Sequence, residues 1–219
     1  MIKNLHKNNR CLSFMFVNLI FFNTLFVMKN IFIIINIILL VSCFSQQQQY
    51  VQEIKNLQSE IIQLPVKGLV IQQQKIECFH VDKPNILKLV VYADSLECTV
   101  CAINHINSWK PLINYAKRFD DRLRFCFIFS PQKKDLFDTK LLIVRQMFDY
   151  PILLDTLREF EKLNPHLPKN RALHTFLLDE NNNVILVGNP LHNKKIEEMF
   201  YKIVEEKLGT SQQSPAKED

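Results

Sequence analysis

Two cysteines three positions apart, Cys98 and Cys101, stand between a seven-residue apolar run and a long stretch of helical periodicity. The run Leu87–Ala93 reads Leu-Lys-Leu-Val-Val-Tyr-Ala, the composition of a strand buried on both faces. In residues 99–119, Ala102, Ile103, Ile106, Trp109, Ile113 and Ala116 fall on one side of a helix. Pro111 must kink or break that helix, because it lacks a backbone donor and crowds the preceding turn. The pair therefore sits where a strand hands over to a helix. Unpaired N–H groups and a partial positive charge at a helix start favour a thiolate there. Cysteines one turn apart are close enough for a disulfide. The first can attack from solvent, while the second, tucked against the helix, resolves the mixed disulfide.

The remaining pattern alternates strand and helix. Val51, Ile54, Leu57 and Ile61 predict a short amphipathic helix over 49–62, closed by Pro65 and Gly68. Residues 69–79 are β-rich and supply one strand or a hairpin. A buried strand follows at Leu123–Phe129, then helix signals at 138–148, a strand at 151–154 and a brief helix at 157–163. Residues 173–178 and 184–187 flank Asp179-Glu180-Asn181-Asn182-Asn183, a hairpin signature, and Asn193 can cap a last helix to Leu208. Such alternation predicts a mainly parallel sheet covered on both faces and finished by an antiparallel hairpin.

Residues 88–179 resemble the thioredoxin superfamily, and most of all its membrane-tethered periplasmic branch related to the cytochrome-maturation reductases. Asp94-Ser95 before Cys98-Thr99-Val100-Cys101, then Trp109, Thr175-Phe176-Leu177-Leu178-Asp179 and Gly188-Asn189-Pro190, are similar to thioredoxin-like lipoproteins of Bacteroidetes. The resemblance covers residues 67–208 and implies a thioredoxin-like α/β three-layer sandwich, a mixed central sheet flanked by helices. It implies thiol–disulfide oxidoreductase activity with Cys98 and Cys101 as the catalytic pair, and neither cofactor nor metal. Three positions depart from the family pattern. Glu97 replaces a tryptophan before the first cysteine, Leu173-His174 stands where a cis-proline is usual, and Tyr92 replaces a buried acidic residue. Glu97 and Asp94 would oppose ionisation of Cys98, which predicts a reductase or isomerase bias.

The first 42 residues carry Lys3, Lys7, Arg10 and Lys29 and no acidic side chain, so they hold most of the net charge of +5. The balance beyond them leaves no basic stripe, which argues against a nucleic-acid partner. Met28-Lys29-Asn30 precedes an apolar run, 31–41, too short to span a bilayer but suited to a secretory signal. The run ends in Leu40-Val41-Ser42-Cys43, which resembles a bacterial lipobox. The expected organisation is a leader over 1–42 with its true start at Met28, lipid attachment at Cys43, and a polar tether with a short helix over 43–66. A thioredoxin-like domain over 67–208 and a disordered tail over 209–219 complete it. The chain would then sit in the cell envelope, anchored to a membrane and facing an oxidising periplasm. Its partners would be exported cysteine-containing proteins and an upstream electron donor.

Cys78 and Cys126, among apolar neighbours in strands, read as small core residues. Trp109 reads as helix packing. His80, His105, His166 and His192 have no mutual metal spacing. His174 reads first as a polar residue at a loop edge, but it could assist proton transfer or complete a Cys-Cys-His copper site with Cys98 and Cys101. Two alternatives to the enzyme therefore stand: a copper chaperone on the same fold, and a lipoprotein binding module without chemistry. The Pro-x-x-x-Thr/Ser-x-x-Cys setting of a peroxidatic thiol is missing before Cys98.

Overall fold

A computed structural model describes residues 46–65, 69–72, 75–78, 86–94 and 99–209, together with Lys29. The rest of the expected leader, the expected lipid site Cys43, the cysteine Cys98, and residues 210–219 lie outside the described residues. Among the described residues no helix is long and apolar enough to cross a membrane.

Residues 46–59 are helical (α1). There follow β1 (Leu69–Gln72), β2 (Lys75–Cys78), β3 (Leu87–Ala93), α2 (Thr99–Asn104), α3 (Lys110–Ala116), β4 (Leu123–Phe129) and α4 (Leu136–Arg145). Then come β5 (Ile152–Leu154), α5 (Glu159–Leu163), β6 (Thr175–Leu178), β7 (Val184–Val187) and α6 (Lys194–Leu208). The described strands form one sheet ordered β2-β1-β5-β4-β3-β6-β7. Strands β3, β4 and β5 run parallel, while β1 is antiparallel to both β5 and β2, and β6 to both β3 and β7. The sheet is thus mixed rather than mainly parallel. The β69–79 region is a hairpin laid beside β5, not an extension of the parallel set.

The direction of winding decides which helix covers which face. From β3 to β4 to β5 the chain steps outward on one side, and right-handed crossovers in one direction put their helices on the same face. Accordingly Ile103, Ile106, Trp109 and Ile113 of the first crossover and Ile143 of α4 share a core with Leu87, Leu89, Leu123, Phe125, Phe127, Phe129, Ile152 and Leu154. To reach β6, on the far side of β3, the chain must return across the other face. It does so through α5, whose Phe160 packs with Val90, Tyr92, Cys126, Ile128, Leu153, Phe176 and Leu178. Odd and even positions of one strand thus feed different cores, the period-two rule applied to a sheet with both sides covered. That is why β3 and β4 read as nearly unbroken apolar runs. The result is the thioredoxin-like three-layer sandwich, enlarged by β5 and the β1–β2 hairpin.

The expected helix over 99–119 is divided. Helix α2 stops at Asn104, a 3-10 turn covers Ile106–Trp109, α3 begins at Lys110, and a second 3-10 turn ends at Phe119. Pro111 lies in the first turn of α3, where its missing donor costs nothing, so it starts a helix instead of bending one. The periodicity nevertheless placed the buried face correctly, since Ile103, Ile106, Trp109, Ile113 and Ala116 are all buried. Trp109 packs edge-on to Phe125 and Phe127 at 6.1 and 5.8 Å. Pairs of this kind contribute about 0.5–1.5 kcal/mol beyond area burial. Left-handed backbone at Asp120 and Asp121, φ 51° and 64°, turns the chain into β4.

Packing also extends N-terminal of the expected boundary at residue 67. Leu57 and Ile62 are fully buried in the second core. Ile62 N–H donates to the Asn182 carbonyl at 3.0 Å. Asn164 binds Gln63 twice, accepting from its N–H and donating to its C=O, each at 2.8 Å. Leu57 and Ile62, within the segment expected as a short amphipathic helix ahead of the domain, thus pack with the folded body.

Candidate redox site

Parallel strands end together, and here the ends of β3, β4 and β5 meet the start of the antiparallel β6. Backbone bonds lace that edge. Ser130 N–H donates to Ala93 C=O at 2.8 Å, Asp155 N–H to Phe129 C=O at 2.9 Å, and Tyr92 N–H to His174 C=O at 2.9 Å. The segment that leaves this edge from Asp94 carries Cys98 and enters α2. Cys101 is the third residue of α2, in its first turn, and is exposed; its carbonyl accepts from His105 N–H at 3.2 Å. Val100, between the cysteines in sequence, is also exposed. A helix of six residues offers a weaker aligned dipole than the continuous one expected, and so less help to a thiolate.

Asp94, expected to oppose ionisation of Cys98, forms an ion pair with Arg171 at 3.5 Å. Their side chains are 15% and 43% exposed, so the pairing is screened by solvent but still offsets part of the carboxylate field. Arg171 opens a 3-10 turn, Arg171–Leu173, that Asn170 caps by accepting from Ala172 N–H at 3.0 Å.

His174 follows that turn and leads into β6, which starts two residues later than the expected strand at 173. It is 5% exposed, so the loop-edge residue of the sequence reading is buried. Its Nε2 lies 2.9 Å from the Pro168 carbonyl. Its ring stands 5.1 Å from that of Tyr92, and its Nδ1 has no hydrogen-bond partner. The phenol of Tyr92, at the position where the resemblance implied an acid, also packs on Phe160 at 5.0 Å. Burial pushes its pKa up to about 12, against a smaller opposing influence of the Ser130 hydroxyl, with Glu161 and Asp94 adding to the rise. Tyr92 is therefore a neutral donor at physiological pH. Neither its Oη nor Ser130 Oγ completes a hydrogen bond of good geometry, although the two groups face one another closely enough to interact.

Cys126 is buried, as its neighbours in sequence implied. Burial raises its thiol to about 12, with Lys88 and Arg124 opposing, which leaves it protonated and unreactive. Cys78 lies on β2, its side chain and all of His80 outside the described residues. His166 Nδ1 is 3.3 Å from Glu60 Oε2. Asn193 caps α6, accepting from Lys195 and Ile196 N–H at 3.0 and 3.3 Å. Among the described residues no group of three or more His, Cys, Asp or Glu is arranged to hold a metal ion.

Three polar residues of this region, and Lys88 at the opposite end of β3, escaped the sequence reading. Arg171 and Ser130 carry no local signal. Asp155 does: it precedes α5 by four positions, and its carboxylate accepts from Glu159 and Phe160 N–H at 2.8 Å each, satisfying donors at that helix start. Lys88, the one charge in an otherwise apolar strand and itself buried, sends its Nζ to Asn182 Oδ1 at 2.8 Å. Burial lowers its pKa, with Cys126, Asp179 and Glu180 opposing.

No family model matches this chain, and no curated protein does. Among solved structures, it is similar to the thioredoxin domain of a thiol-disulfide oxidoreductase from Bacteroides vulgatus, with 13% identity and a TM-score of 0.44 over 65% of this chain and 96% of that one. It is similar to an uncharacterized thioredoxin-like protein from Porphyromonas gingivalis, with 17% identity and a TM-score of 0.38 over 67% and 93%. A mitochondrial 2-Cys peroxiredoxin from Plasmodium falciparum matches with 12% identity and a TM-score of 0.40 over 66% and 93%. The fold assignment rests on strand order and direction in this chain itself.

Proposed function

We propose that this chain is a membrane-anchored thiol–disulfide oxidoreductase that acts on exported proteins through a Cys98–Cys101 dithiol. The observation that carries the reading is the position of Cys101. It is exposed in the first turn of α2, at the edge where the parallel strands end, three residues after a second cysteine. A thiol pair there can form, exchange and reopen a disulfide without disturbing either core. The anchor is a lipid on Cys43, and the compartment is the cell envelope outside the cytoplasmic membrane. The clients are exported cysteine-containing proteins, re-reduction comes from an upstream electron donor, and no cofactor takes part.

Three features support a reductase or isomerase over an oxidase. The helix bearing Cys101 is short, Glu97 precedes Cys98 in sequence, and Asp94 adds negative charge that Arg171 only partly offsets. Each leaves the thiol form more favoured than in a strongly oxidising site. The test is insulin reduction by the purified full chain. Cys98→Ser abolishes it, and Cys101→Ser traps mixed disulfides with clients. Equal activity in both variants refutes the mechanism.

A further inference from the structure

The segment before β1 lies against the loop between α5 and β6 along a seam of polar contacts. Gln63 gives its N–H to Asn164 Oδ1 and takes a bond from Asn164 Nδ2, each at 2.8 Å, and Asn164 is fully buried. Glu53 Oε2 accepts from Asn170 N–H at 3.0 Å. Between Asn164 and Asn170 in sequence stands His166. Its side chain is 10% exposed, and its Nδ1 approaches Glu60 Oε2 at 3.3 Å. Both ring nitrogens are shut off from solvent, and neither completes a hydrogen bond of good alignment.

The other contacts across this seam use amides and a carboxylate, which keep one charge state around neutral pH. His166 is the exception, because an imidazole changes its charge between about pH 5 and 8. Nε2 lacks a partner in either state, so the difference between the states is made at Nδ1. The imidazolium sets a proton on Nδ1 opposite a carboxylate, a charge-assisted contact stronger than a neutral one. Burial of the ring opposes its charge, but the Glu60 side chain is 62% exposed, so the carboxylate adds little desolvation of its own. The titratable groups across the seam are Glu53 and Glu60 from the segment and Lys162, Lys169 and Arg171 from α5 and the loop. Arg171 is paired with Asp94, and Glu60 is the group at ion-pair distance from the ring.

We propose that His166 and Glu60 form a pH-sensitive strap that fastens the segment before β1 to the loop between α5 and β6, closing on the imidazolium. By linkage, closure and protonation favour one another. The hold is therefore complete in acid and weakens as pH climbs through the imidazole range. Ile62 and Gln63, next along the chain from Glu60, are the residues whose bonds to Asn182 and Asn164 loosen with it. Leu57 keeps its place in the second core. The strap does not depend on the oxidoreductase reading. It governs how firmly the body grips its own N-terminal segment.

The test is amide hydrogen exchange of the purified full chain, wild type against Glu60→Gln and His166→Gln, from about pH 5 to 8. Peptides covering residues 60–64 report the strap, with protection corrected for the intrinsic pH dependence of exchange. Wild-type protection there is expected to fall by about threefold across the range, the worth of one partly exposed ion pair. Both variants stay flat at the lower level, and peptides from β4 change in none of the three. A flat wild-type profile, or the same profile in wild type and Glu60→Gln, overturns the proposal. Protection that rises with pH also overturns it, since burial of the ring then outweighs the carboxylate. Should a variant fold poorly, the ring resonances of wild-type His166 decide. An inflexion that moves to lower pH as added salt screens Glu60 supports the strap, and one that salt leaves in place refutes it.

Discussion

Replacing Leu57 by Ala measures whether the segment before β1 is core or tether. Leu57 is fully buried, as is Ile62 five residues on, and both pack in the cluster formed by Val90, Tyr92, Ile128 and Phe176. Removing three carbons at such a site costs the transfer free energy and leaves a cavity, about 2–5 kcal/mol for Leu→Ala. The backbone around it cannot easily relax, because Ile62 and Gln63 are held to Asn182 and Asn164 by three hydrogen bonds of 2.8–3.0 Å. A value near 3 kcal/mol is the reasonable centre of that range. A domain of this size has a total stability of about 5–15 kcal/mol. With a urea m-value of about 2 kcal/mol/M, the unfolding midpoint should fall by about 1.5 M without a change in slope. The assay is equilibrium urea unfolding of the full chain followed by Trp109 fluorescence, since Trp109 packs in the other core and reports cooperative loss of the whole. A shift below about 0.5 M, or a fragment beginning at residue 67 as stable as the full chain, would refute the reasoning and restore the tether.

Cys126 should resist thiol reagents in the native state and react only on unfolding, which mass spectrometry after a brief iodoacetamide pulse would check. Its thiol and the Tyr92 phenol are both held neutral, raised from 9.0 and 10.0 to about 12. The unfolded chain ionises first, so stability from these groups is intact below about pH 9 and lost as pH rises toward 12. Urea midpoints across that window should fall, and less steeply in Cys126→Ala. Arg171→Gln removes the partner of Asp94 and should raise the Cys98 pKa, read from the pH dependence of its alkylation; a fall would reverse the sign assigned to Asp94. Copper(I) titration should give no binding that depends on His174, whereas tight binding lost in His174→Ala would favour the copper-chaperone reading.

What could be read from the chain followed what is local. Strands β3 and β4 were found to the residue because burial on both faces leaves an unmistakable apolar run. Helical periodicity found the buried side chains of residues 99–119, and Pro111 marked the break beside Lys110, but nothing marked the one at Asn104, since a period does not register which carbonyl an N–H chooses. The burial of His174 was illegible for another reason. Its cover comes from Tyr92, far away in sequence, and from a main-chain oxygen at Pro168 that has no side-chain signature. The Asp94–Arg171 pair spans a similar distance. Asp155 could have been found, since an acidic residue ahead of a short helix is a familiar sign. Lys88 stood in plain view as a charge within an apolar strand, and only the hairpin at Asn182 explains it.

The pairing of β1 with β5, Leu69 beside Leu154, and the hold of Asn182 on Ile62 have a temporal meaning. The part of the body that leaves the ribosome early completes its contacts late, since Leu69 waits for Leu154 and Ile62 for Asn182. Until then Leu57 and Ile62 lack Phe176 and Leu178, the late members of the cluster they share. Assembly of this molecule must close from its late end back toward its beginning, a slow order for any chain whose first contacts are its most distant ones.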